Sequence, residues 1–190
     1  MLDFPVMLQL EGRDCLVVGQ TTEATAKARR LEVAGARVRR LPVFDRAGAG
    51  RPFLIVADLP APEAEQVWRF AEEQGILLNV VDKPDYCNFT FPAVLERGNL
   101  RIAVSTCGIA PALAGWIRDR LAETLSENWS GLLEVLHRLR PAIVRHLPDW
   151  ETRKNFYRSL ATAFLHSAPG QAPSQRGPGT GIQRIEDPCA

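Results

Sequence analysis

Three short apolar runs, "DCLVVG" (residues 14–19), "FLIVAD" (53–58) and "ILLNVVD" (76–82), constrain this chain more than any other feature. Val, Leu and Ile in unbroken runs of this length suit strands of a parallel sheet covered on both faces. A helical pattern separates them. "TEATAKARRLEVAGA" places Ala24, Ala28, Leu31 and Ala34 at helical spacing, with Gly35 as the stop. "RVRRLPVF" (37–44) reads as a second strand and "RAGAGRP" as a loop, and "APEAEQVWRFAEEQG" is an amphipathic helix ending at Gly75. Strand and helix patterns alternating in this way predict an α/β fold with a parallel sheet.

After Asp82 the rhythm changes. "FTFPAVLERG" and "LRIAVST" read as two antiparallel strands behind a turn, and "APALAGWIRDRLAETL" as a helix with Leu113, Ile117 and Leu121 on one face. "SENWSGLLEVLHRLRPAIVRHL" and "DWETRKNFYRSLATAFL" are two further helices. From residue 166 the chain is rich in Pro, Gly, Ser and Gln, a composition that predicts a disordered tail over 166–190.

A net charge of +1 argues against a nucleic-acid partner, and no apolar run approaches the length of a membrane span. The opening "MLDFPVMLQLEGRD" has no basic segment followed by a long apolar core, so the expected location is cytoplasmic. Cys15, Cys87, Cys107 and Cys189 form no CxxC pair, which speaks against a zinc knuckle or disulfide framework. The basic residues are nearly all arginine, which suits carboxylate recognition but also follows from a GC-rich genome.

The turn after the first strand is the chemical question. A dinucleotide-binding βαβ unit uses glycines for the tight turn, for backbone approach to the diphosphate and for helix packing. In "GQTTEA" the register supplies Gly19, then Thr21 at the second place and Ala24 at the third. Thr21 is a departure, since its Cβ stands where a diphosphate would lie; the helix N-terminus still offers free N–H groups to an anion. Asp45, after the second strand, is a candidate for a ribose hydroxyl and equally an ordinary solvated loop carboxylate.

Several segments, in order, resemble the precorrin-2 dehydrogenase family, the N-terminal module of siroheme synthase. "FPVMLQLEGRDCLVVG" and "ATAKARRLEVAGARV" are similar to that family's opening strand and first helix. The most specific likeness is "NVVDKPDYCNFTFPAVLERGNLRIAVSTCGIAPALAGWIRDRLAETL", and "WETRKNFYRSL" resembles a C-terminal helix. The resemblance implies a Rossmann-like NAD-binding domain over 1–88 and a strand-exchanged dimerisation region over 89–125. It further implies a small helical domain over 126–165, in a homodimer. The implied activity is oxidation of precorrin-2 to sirohydrochlorin with NAD, and in many members insertion of Fe²⁺ as a substrate.

By position, the resemblance makes Asp82 of "NVVDKP" the catalytic base. It sets Gly19, Thr21, Thr22, Glu23, Val43 and Phe44 on the cofactor side. Removing a hydride from the macrocycle leaves a proton to shed, and metal insertion also removes pyrrole protons, so one carboxylate suits both steps. Asp82 is also a plausible turn former before Lys83 and Pro84. Ser105, Thr106 and Gly108 precede a helix starting near Pro111, where hydroxyls and free amides suit a substrate carboxylate and equally suit simple capping. No resident metal ligand is implied, and His137 and His146 are expected at the surface.

Three departures fall on the cofactor side. The glycine triplet is "GQT", only "DRAGAGRP" lies between the second and third strands, and "DLPAP" follows the third strand in place of the family's "T-D-D/N" turn. Beside the NAD-dependent dehydrogenase stand two alternatives: a chelatase without dinucleotide, and a non-enzymatic tetrapyrrole-binding homologue.

Overall fold

The computed structural model describes residues 4–167, and Cys189 and the expected tail beyond 167 lie outside the described residues. The chain divides into two compact units between Ser126 and Glu127.

Four parallel strands organise the first unit: β1 (Asp14–Val18), β2 (Arg37–Leu41), β3 (Leu54–Ala57) and β4 (Leu77–Val80), in the order β2-β1-β3-β4. α1 (Thr22–Val33) links β1 to β2 and α3 (Ala61–Gln74) links β3 to β4. Successive side chains of a strand point to opposite faces, which explains why the runs are apolar throughout. Leu16, Val18, Ile55, Ala57, Leu78 and Val80 pack against Ala64, Val67, Phe70 and Ala71 of α3. Cys15, Val17, Leu54 and Val56 pack on the other side, against Ala24, Ala28 and Leu31 of α1. Ala24, Ala28 and Leu31 of α1 are those read from the sequence at helical spacing, whereas Ala34 is the exposed C-cap of that helix. α3 stops at Gly75, which takes φ 64° at the C-cap.

Three features differ from the sequence reading. "RAGA" is not a loop but a one-turn helix, α2 (Arg46–Ala49), because the Asp45 carboxylate caps it through the Ala47 and Gly48 N–H groups at 3.1 and 2.9 Å. The fifth strand is shorter than "FTFPAVLERG": β5 is Ala93–Arg97, pairing antiparallel with β6 (Leu100–Val104). The preceding residues instead wrap the open edge of β4. Tyr86 and Cys87, at and just beyond the short helical turn Pro84–Tyr86, pack on the α3 side, while Phe89 and Phe91 pack on the α1 side. Such a wrap covers an edge that would otherwise present unpaired N–H and C=O groups. Finally, the last helix reaches Ser167, past the expected start of the tail.

α4 (Pro111–Thr124) packs on β5 and β6. Ala114 is its buried residue, whereas Leu113 is half exposed with Trp116. The second unit holds α5 (Asn128–His146) and α6 (Trp150–Ser167), with Trp129 edge-on to Phe164 at 5.1 Å. Asp149 accepts from the Thr152 N–H and hydroxyl at 2.7 and 2.8 Å, and these bonds hold its carboxyl below the usual range. Among the described residues, no helix is long and apolar enough to cross a membrane.

Because Leu16 is fully buried at the centre of the α3 face, Leu16→Ala is expected to lower unfolding free energy by about 2–5 kcal/mol. Urea denaturation checks this, with the midpoint shifting and the slope unchanged.

Candidate active site

In open α/β sheets ligands lie outside the carboxyl ends of the strands, where consecutive connections leave for opposite faces. Here that point falls between β1 and β3, since β1 leads to α1 and β3 to α3. Val18, Ala57 and Val80 stand abreast in the register, so Gly19, Asp58 and Val81 emerge side by side. Three further bonds extend the ladder past the strand ends: Gly19 N–H to Leu41 O, Asp58 N–H to Val18 O and Val81 N–H to Ala57 O, at 2.9, 2.9 and 2.8 Å. A depression of about 430 Å³ bounded by Gly12, Arg13, Arg37 and Arg51 opens at the opposite, amino ends of the strands. It lies away from the crevice that the topology creates.

Four of the expected cofactor-side residues gather at the β1–α1 turn. Gly19 has φ 115°, and a Cβ there would stand 2.6 Å from the Asp58 carbonyl oxygen, so only glycine fits this approach of two backbones. Thr21 is the N-cap of α1, its Oγ1 accepting from the Ala24 N–H at 3.1 Å. The same hydroxyl donates to the carboxylate of Asp58, at the end of β3. The N–H groups of Thr22 and Glu23 have no partner among the described residues, while the Glu23 carboxylate pairs with Lys27 at 3.2 Å. Arg40, on the neighbouring β2, donates to Thr25 in the first turn of α1 at 2.7 Å.

The other two cofactor-side residues are divided. Val43 is exposed beyond β2, but Phe44 turns inward against Phe70 at 5.5 Å and belongs to the core. Asp45 is held as a helix cap and does not present a free carboxylate. The crevice thus fits a dinucleotide in its strand ends, its Gly19 turn and two unbonded amides, and departs from one at Thr21 and Asp58.

Asp82 leaves the sheet at the end of β4. Strands lie about 4.8 Å apart, so two spacings put the β4 end roughly 10 Å from the β1 end. Asp82 is exposed, and its carboxylate has no hydrogen-bond partner among the described residues. Its φ is 55°, the left-handed region that a non-glycine residue adopts only at a cost.

The loop that holds Asp82 there is fastened from behind. Asn79, buried within β4, donates to the Phe89 carbonyl at 3.1 Å, and Asn88 bonds both Leu78 N–H and Ile76 O at 2.7 and 3.0 Å. The Cys87 thiol accepts from Val80 N–H at 3.1 Å. Burial pushes this thiol's pKa up, against the opposing pull of the Val80 bond and of Lys27. Sequence reasoning missed these supports. The available signal was Asn79, a polar residue inside an apolar strand, which requires buried partners.

Ser105, Thr106 and Gly108 lie together in the loop between β6 and α4. Ser105 Oγ accepts from Cys107 N–H and Thr106 Oγ1 from Ala110 N–H, both at 3.1 Å. Cys107 is the second non-glycine residue with positive φ among the described residues, at 50°. No hydrogen bond joins this loop to Asp82 or to the Gly19 turn among the described residues. His137 and His146 are exposed on α5, and no cluster of three His, Cys, Asp or Glu residues suited to a metal occurs among the described residues.

Two protein families match consecutive parts of the chain: one described as putative NAD(P)-binding over residues 43–93, and the sirohaem biosynthesis protein central family over 97–124. The first match begins beyond the Gly19 turn. A siroheme synthase of Pseudomonas paraeruginosa is 34% identical, covering 90% of this chain and 43% of its own length. Siroheme synthase 2 of Aeromonas salmonicida is 32% identical, covering 85% and 38%. The chain is a homologue of the siroheme synthases. It spans less than half the length of either relative, and it shares its fold with a precorrin-2 dehydrogenase, SirC. That likeness has a TM-score of 0.64 at 24% identity over 83% of this chain and 89% of the other. The homologous region therefore has a Rossmann-like parallel sheet with helices, a small antiparallel sheet and a helical C-terminal part.

Because a Cβ added at Gly19 would meet the Asp58 carbonyl, Gly19→Ala is expected to destabilise the fold by about 1–3 kcal/mol. Chemical denaturation measures it, and a change below about 0.5 kcal/mol would show that the two backbones can separate freely.

Proposed function

We propose that this chain oxidises precorrin-2 to sirohydrochlorin, with NAD(P)⁺ bound at the carboxyl ends of β1 and β2. The observation that carries this reading is Asp82. Its unpartnered carboxylate is held at φ 55° at the end of β4, on the crevice edge, by the bonds of Asn79, Cys87 and Asn88. Backbone strain kept in place by surrounding bonds is a feature of functional positions. The dinucleotide supplies the hydride acceptor. Asp82 then takes the proton that the macrocycle must lose, which an exposed carboxylate reachable from the crevice can do.

Ser105 and Thr106 suit the substrate's acid groups. Each hydroxyl oxygen already accepts a backbone N–H, which leaves its own proton to donate. A homodimer is part of this reading. Leu113 and Trp116 are exposed one turn apart on α4 and Ile109 is exposed just before that helix, and β5 with β6 is a two-stranded sheet, an arrangement marginal by itself. Sedimentation of Leu113→Glu/Trp116→Glu is expected to show a monomer where the parent chain is dimeric.

The contact between Thr21 and Asp58 favours a second reading, insertion of Fe²⁺ into sirohydrochlorin without a dinucleotide. NAD⁺-independent metal insertion that fails in Asp82→Ala would support it. Sirohydrochlorin binding without either reaction would leave a carrier.

Asp82→Asn tests the principal reading, because asparagine tolerates the left-handed backbone and removes only the base. NADH formation from precorrin-2 is expected to fall by about 10²–10⁴-fold. Stability should change by less than about 0.5 kcal/mol. Asp82→Gly should be equally inactive and more stable by up to about 1 kcal/mol. Retention of the parent rate in Asp82→Asn would remove the proposed base.

A further inference from the structure

Two of the residues that depart from the dinucleotide pattern touch each other. Thr21, in place of the second glycine, donates its hydroxyl proton to the carboxylate of Asp58, in the segment "DLPAP" after β3. They approach from opposite sides of the point where the connections diverge, Thr21 leading into α1 and Asp58 towards α3. Behind them the backbones close up, the Gly19 Cβ position lying 2.6 Å from Asp58 O. The bond therefore spans the mouth of the crevice.

Its chemistry opposes a diphosphate in two ways. The Thr21 hydroxyl satisfies the Ala24 N–H from within the chain, removing one of the donors that a phosphate would use at a helix N-terminus. The Asp58 carboxylate brings negative charge to the same end of α1, where the dipole stabilises an anion and where a second anion is repelled. Thr22 and Glu23 N–H remain unbonded among the described residues, so the turn keeps donors that can act once the bridge moves aside.

We infer that the Thr21–Asp58 bridge sets the affinity of this crevice for diphosphate-containing ligands, with Asp58 the determining residue. The bridge holds the crevice closed to the diphosphate, and binding requires the Asp58 carboxylate to swing away from α1. This rests on the dinucleotide reading of the crevice given above.

The test is calorimetric titration of the full chain and of its Asp58→Asn, Asp58→Ala, Thr21→Gly and Thr21→Ser variants. The probes are ADP-ribose and adenosine, and thermal melting confirms that each variant is folded. ADP-ribose is expected to bind Asp58→Asn, Asp58→Ala and Thr21→Gly about tenfold or more tighter than the parent. Thr21→Ser, which keeps the hydroxyl, should bind like the parent. Adenosine, lacking the diphosphate, should be unaffected throughout.

A parent that binds no ADP-ribose beside an Asp58→Asn variant that does would support the bridge equally. If parent and folded variants bind ADP-ribose within about threefold of one another, the bridge inference fails while the dinucleotide reading stands. Adenosine tightening in parallel with ADP-ribose would also overturn it, by showing a general change of pocket shape. Absence of binding in every folded protein would remove both.

Discussion

Leu16, Ile55 and Leu78 point to one side of the sheet while Val17, Val56 and Leu54 point to the other, and every one of them is buried. Because successive residues of a strand alternate sides, covering both faces with helices is the arrangement that keeps such runs dry. Each fully buried aliphatic side chain contributes about 1.5–3 kcal/mol of transfer free energy, so this two-sided burial dominates the stability of the first unit. It also fixes direction. Parallel strands joined by helices end at one edge, and there Gly19, Asp58 and the Asp82 loop emerge in neighbouring register.

That edge carries two opposed local devices. At β4, Asn79, Cys87 and Asn88 take up backbone groups of the edge and of the loop beside it, and Asp82 is left strained and unpartnered in front of them. At β1 and β3 the reverse holds, since Thr21 and Asp58 satisfy each other across the crevice. A carboxylate kept free suits proton transfer. A carboxylate bonded to the N-cap of a helix competes with any anion that would bind there. Both devices lie at the carboxyl ends of neighbouring parallel strands, the edge where open α/β sheets bind their ligands.

Much of this was legible in the residues. Unbroken apolar runs identified β1, β3 and β4, and Ala24, Ala28 and Leu31 marked the buried stripe of α1, because period and burial are local properties. The motif "NVVDKP" singled out Asp82. Less legible was the segment from Phe89 to Pro92, whose aromatic and β-branched residues suit a strand, yet Phe89 and Phe91 serve better as a cover over the α1 face. Asp45 misled for a related reason: a carboxylate two residues before free N–H groups folds back to cap them, and α2 forms where a loop was expected.

By itself, then, the sequence determined which segments must be buried and that the sheet is parallel. These follow from side-chain type and spacing, which act over a few residues. The tertiary structure decided what faces what. Thr21 and Asp58 are 37 positions apart, and each read alone is only a departure from a familiar pattern. They become a single feature because β1 and β3 are neighbours in the sheet, and that adjacency arises from strand order, which no local pattern encodes.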